Sequence, residues 1–92
     1  MGMYIEGPAK GKAKMLLEQH GAVRLDGPAD AWLALGEGHD VVCVVDNGPF
    51  EAAGVMTGPE ELDAFSRPDD LRPKTWLRLP HGKARQLAGA PL

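Results

Sequence analysis

Ninety-two residues, 43% hydrophobic and 25% charged, fit one globular domain (1–92) and exclude separate substrate and cofactor domains. The single cysteine, Cys43, excludes an internal disulfide and a cysteine-rich zinc site, and no apolar run approaches the ~20 residues of a membrane span. The net charge of −3 is unevenly spread: residues 26–70 hold eleven acidic groups and one basic group, Arg67, whereas residues 71–92 hold five basic groups and no acid.

The N-terminus lacks the charged-then-apolar pattern of a signal peptide, and Glu6 stands where a myristoylation signal wants Ser or Thr. The expectation is a soluble, cytoplasmic protein that does not engage the membrane. "MYIE" (3–6) reads as a short strand. "PAKGKAKMLLEQH" (8–20) reads as a helix, because Ala9, Ala13, Leu16, Leu17 and His20 recur at three- and four-residue spacing, with Gly21 as its stop. "AVRL" (22–25) is a second strand, and Asp26 is the expected cap of a helix over 28–35.

"DVVCVV" (40–45) is continuously apolar, which predicts a strand covered on both faces. Asn47-Gly48 is a strong hairpin signal, but Pro49 lacks the N–H that a two-residue turn needs. A wider connection across Asp46–Pro49 is expected, then a strand over 50–56; a helix starting at Pro49 is the alternative. Phe50 is expected to plug the core, and Ala52, Ala53 and Gly54 to let another element pack close. Thr57 and Glu60 have capping-box spacing for a helix over 60–65. "SRPDDLRP" (66–73) reads as loop, "KTWLRL" (74–79) as the last strand and "GKARQLA" (82–88) as a terminal helix, with "GAPL" (89–92) frayed. The order β-α-β-α-β-β-α-β-α defines an α+β fold: a single small mixed sheet of about five short strands, covered by helices.

Little in this text carries catalytic chemistry. "GPAKGKA" (7–13) departs from a phosphate-binding loop, since three residues separate Gly7 from Gly11 and Ala13 replaces the magnesium-binding hydroxyl. Lys10, Lys12 and Lys14 are then a solvated face, or a group facing an anion. Cys43 belongs in apolar company, where a thiol is inert. His20, His39 and His81 show no metal-binding spacing. The expectation is therefore no catalytic set, no metal, no cofactor and no enzyme activity.

Two charged groups remain. Glu60, Glu61, Asp63, Asp69 and Asp70 form the densest acidic patch, either locally paired and solvated or a face for a basic partner. A basic tail folded back over the acidic middle would neutralise it. In "KTWLRL", alternation sends Thr75, Leu77 and Leu79 to the core and puts Lys74, Trp76 and Arg78 together. Trp76 is then a stacking platform for a base or an interface anchor, or is covered by the terminal helix.

The text "VCVVDNGPFEAAG" (42–54) and "RPDDLRPKTWL" (67–77), with "YIEGPAKGKA" (4–13), resembles small proteins of phages, prophages and related mobile elements. That family has no known catalytic residues to carry over. The resemblance implies an accessory protein acting in a host bacterial cell. The leading expectation is a non-enzymatic module that binds a basic host protein through Glu60, Glu61, Asp63, Asp69 and Asp70. Its role would be to modulate a host system, including inhibition of a defence system of the anti-CRISPR kind. The alternative is a nucleic-acid-binding module using Lys10, Lys12, Lys14, Lys74, Trp76 and Arg78.

Overall fold

The computed structural model describes residues 3–89. Five strands form one sheet: β1 (Met3–Ile5), β2 (Val23–Leu25), β3 (Asp40–Asp46), β4 (Glu51–Met56) and β5 (Lys74–Leu79). Their spatial order is β1-β4-β3-β5-β2. Every pairing is antiparallel, so the sheet is not mixed as the sequence suggested. The physical reason lies in the connections: the β3–β4 hairpin fixes one antiparallel pair, and the long 57–73 segment then carries the chain over the sheet, so that β5 runs antiparallel to β3. The remaining elements are α1 (Lys12–Gln19), α2 (Pro28–Gly36), a 3-10 helix (Pro59–Ala64) and α3 (Lys83–Leu87).

The central strand β3 explains the three-layer arrangement. Val41 to Val45 are all buried, and successive side chains point to opposite faces. Val42 and Val44 join Ile5, Leu16, Val55, Leu77, Leu79 and Ala84 beneath α1 and α3. Val41, Cys43 and Val45 join Ala31, Ala34, Leu35, Met56, Leu62 and Trp76 beneath α2 and the 3-10 helix. The continuous apolar run thus feeds two cores, as its lack of alternation predicted.

Three local expectations change. Helix α1 begins at Lys12, not Pro8, because Gly11 takes a left-handed φ of 92° that only glycine adopts without strain. Asp26 does not cap α2; instead its own N–H donates to the Asp30 carboxylate at 3.3 Å. Thr57 bonds Glu61 rather than Glu60, with its N–H and hydroxyl donating to Glu61 Oε1 at 3.2 and 2.9 Å. Gly58 rather than Thr57 is the N-cap of that segment, so its third helical position falls on Glu61, one residue later than expected.

The hairpin is the wide one. Asn47 N–H donates to the Phe50 carbonyl at 3.0 Å, and Gly48 N–H donates to Asp46 Oδ1 at 2.8 Å. Pro49 is asked for no hydrogen bond. Phe50 does not plug the core; it is half exposed at the hairpin tip. The plug over this corner comes from Phe65, just after the 3-10 helix. A Cβ at Gly54 would lie 2.5 Å from two ring carbons of Phe65. Gly54→Ala is therefore expected to push the ring outward and destabilise the fold by about 1–3 kcal/mol, read by thermal denaturation. Of the "GAPL" end, residues 90–92 lie outside the described residues.

Candidate protein-interaction face

The two covering layers differ in charge. α2, the 3-10 helix and their flanks (26–37 and 57–66) carry Asp26, Asp30, Glu37, Glu60, Glu61 and Asp63, and no Lys or Arg. α1 and α3 carry Lys12, Lys14, Lys83 and Arg85 against one acid, Glu18. The basic tail neutralises the acidic middle in part, with Arg72 and Lys74 at Asp70 and Arg85 at Asp40, but among the described residues it makes no ion pair with the acids of the α2 and 3-10 helix layer. The terminal helix packs on the α1 side instead, with Ala84 and Leu87 in that core.

The five acidic residues singled out in the sequence divide into two kinds. Glu61 is held by Thr57. Asp70 accepts from Arg72 Nη2 at 2.7 Å and Nε at 2.9 Å, and Lys74 Nζ lies 3.6 Å away. The Arg72 hydrogen bonds hold the Asp70 carboxyl well below the usual carboxylate range. Arg72 also donates to the Asn47 side chain, and Asp46 N–H donates to the Pro73 carbonyl at 2.9 Å. Asp70 therefore serves the strap that ties loop 66–73 to the hairpin. Asp69 pairs with Arg67 at 3.3 Å in full solvent, a contact of small energetic weight. Glu60 and Asp63 are exposed and make no side-chain ion pair among the described residues.

The six residues of the alternative face are not brought together. Lys12 is buried at 8% exposure and donates to the Pro8 and Glu51 carbonyls, both at 2.8 Å. Lys10 pairs with Asp46 at 2.9 Å. Lys14 is exposed on α1. Lys74 donates to the Asp70 and Arg72 carbonyls at 3.1 and 3.3 Å. Trp76 is 6% exposed and packs in the core beneath α2 and the 3-10 helix, not under the terminal helix. Arg78, partly buried, points to the same side as Trp76 but stands beside Val23 at the β2 edge. Both sheet faces are covered, so the outward face that alternation assigned to Trp76 is a second core.

Elsewhere the chemistry is structural. A cleft of about 490 Å³ opens where β1 ends and β4 continues, flanked by Tyr4 and Phe50. Of its charged groups, Lys12 and Glu51 are already engaged with backbone, and Glu6 is exposed. Burial pushes the Cys43 thiol up to about 12. Native protein is expected to resist alkylation at neutral pH and to react fully once denatured, which a mass-spectrometric time course reads directly. Among the described residues, no group of three or more His, Cys, Asp or Glu side chains is placed to hold a metal ion, and no helix is long and apolar enough to cross a membrane.

One surface feature had no place in the sequence reading. Trp32 and Leu33 on α2 are 56% and 57% exposed, side by side within the acidic layer. α2 is apolar around most of its circumference, so periodicity could not tell its inner face from its outer one. No family model matches the chain, and no curated protein and no solved structure matches it.

Proposed function

We propose that the chain is a non-enzymatic protein-binding module that presents the α2 and 3-10 helix face to a basic surface on a host protein. One observation carries this reading: the sheet separates an acidic layer from a basic one and leaves the exposed acids Glu60 and Asp63 without ion-pair partners among the described residues. Exposed acids without ion-pair partners steer association with a surface of opposite sign. The likeness of residues 42–54 and 67–77 to phage and mobile-element proteins supplies the context: an accessory protein in a bacterial cytoplasm that modulates a host system, such as a defence complex. A complex that handles nucleic acid needs cationic side chains to neutralise phosphates, and an acidic face suits such a surface.

The interface on this reading is Glu60 and Asp63, supplemented by Glu37 and Asp69. Glu61 and Asp70 hold the surface in shape. Glu60→Lys with Asp63→Lys is expected to abolish partner capture from host lysate while leaving the thermal midpoint within a few degrees. Lys14→Glu with Lys83→Glu, on the opposite face, is expected to leave capture intact. Equal capture by the wild type and the Glu60/Asp63 variant at both low and high salt rejects the reading. The nucleic-acid alternative lacks a shared surface, since Lys12 and Trp76 are buried and Lys10 and Lys74 are paired.

A further inference from the structure

The exposed side of α2 is a helix face without a partner. Ala31, Ala34 and Leu35 turn inward to the sheet. Ala29, Trp32, Leu33 and Gly36, at helical spacing, are all exposed. This places two large apolar side chains between small ones, so another helix can approach the ridge closely. A half-exposed tryptophan beside a half-exposed leucine costs solvation in the free protein, and tryptophan is the residue type most enriched among interface anchors.

The surroundings select the occupant. Asp26 and Asp30 stand at the start of α2 and Glu37 at its end, and no Lys or Arg occurs between Leu25 and Arg67. Two copies docked through α2 would bring like-charged rims together, and an anionic lipid surface would meet the same repulsion. A cationic helix meets attraction at both ends, and the Trp32 ring face adds cation–π affinity for Lys or Arg. We infer that Trp32 and Leu33 anchor a cationic amphipathic helix of another protein, with Asp26, Asp30 and Glu37 as its charged rim. This rests on the acidic-face reading above and adds to it the anchor and the kind of element bound.

The test titrates the full-length chain, isotopically labelled, with three helical peptides of equal length: Lys/Leu with an apolar stripe, Glu/Leu with the same stripe, and Lys/Ser without one. The Lys/Leu peptide is expected to shift the Trp32 indole and Leu33 methyl resonances and to leave the buried Trp76 indole unmoved. Trp32→Ala and Leu33→Ser, each confirmed folded by circular dichroism, should each weaken binding by about tenfold. Three results overturn the inference: no saturable binding of the Lys/Leu peptide, equal binding of the Glu/Leu peptide, or self-association through Trp32 without peptide. Binding of the Lys/Leu peptide that survives both substitutions but is lost in the Glu60→Lys/Asp63→Lys protein also overturns the anchor, while leaving the acidic-face reading standing.

Discussion

Asp40→Ala is expected to destabilise the protein by about 3–5 kcal/mol, the range for removing one partner from a buried charge pair. Asp40 opens β3 and is 1% exposed. Its Oδ2 accepts from the Ala84 and Arg85 N–H groups at 3.1 and 3.2 Å, and its Oδ1 faces Arg85 Nη2 at 3.2 Å. One carboxylate thus satisfies two unpaired amides at the start of α3 and the guanidinium that folds back on it. Alanine leaves the two amides without an acceptor and takes the guanidinium's only carboxylate, leaving it His81 and partial solvent. Asp40→Asn keeps an acceptor for the amides and should cost roughly half as much. The total stability of a domain is only about 5–15 kcal/mol, and a chain this short buries a smaller share of its surface than most. Urea denaturation of the wild type and both variants therefore separates them clearly. An Asp40→Ala protein as stable as wild type would mean that α3 is held by its apolar contacts alone.

The second large effect is expected at Lys12 and Glu51. Strand β1 stops pairing with β4 after Ile5 opposite Ala53, so the next outward-facing groups of β4 need other partners. Ala9 supplies a carbonyl to the Glu51 N–H at 2.8 Å, and Lys12 Nζ supplies a donor to the Glu51 carbonyl. In return Glu51 Oε1 accepts from the Gly11 and Lys12 N–H groups at 2.9 and 3.1 Å, capping α1 from a strand forty residues away. Lys12→Met keeps the aliphatic stem but leaves the Pro8 and Glu51 carbonyls without their donor, which is expected to cost about 2–3 kcal/mol. Glu51→Ala strips the helix cap and should cost about 1–2 kcal/mol. Because the two residues share one network, the double variant should lose less than the sum of the singles. Strict additivity in chemical denaturation would show that the two halves of the clamp are independent.

The sequence exposes most of this architecture because its strong signals are local. The apolar run at 41–45 needs cover on both faces whatever surrounds it, and glycine and proline mark nearly every boundary. What it conceals is long-range. Helix α1 starts four residues late because Gly11 turns left-handed and Glu51 caps the helix there, and nothing near Pro8 announces the distant cap. Alternation in "KTWLRL" correctly separates Trp76 from Leu77, but it cannot say that α2 covers the Trp76 side. The acidic run is visible as composition, yet which carboxylates are free depends on Thr57, Arg72 and Lys74, which fold determines. Trp32 stays hidden because a helix apolar around most of its circumference has little phase to read.

The proposed interface is the acidic layer. Chemical footprinting of the captured complex tests it most directly, with carboxyl and amine labelling read residue by residue in free and bound protein. Glu60, Asp63 and Glu37 are expected to become protected on binding, while Lys14 and Lys83 remain as reactive as in the free chain. Protection of Lys14 and Lys83, with Glu60 and Asp63 still fully labelled, would place the interface on the opposite side of the sheet and contradict it.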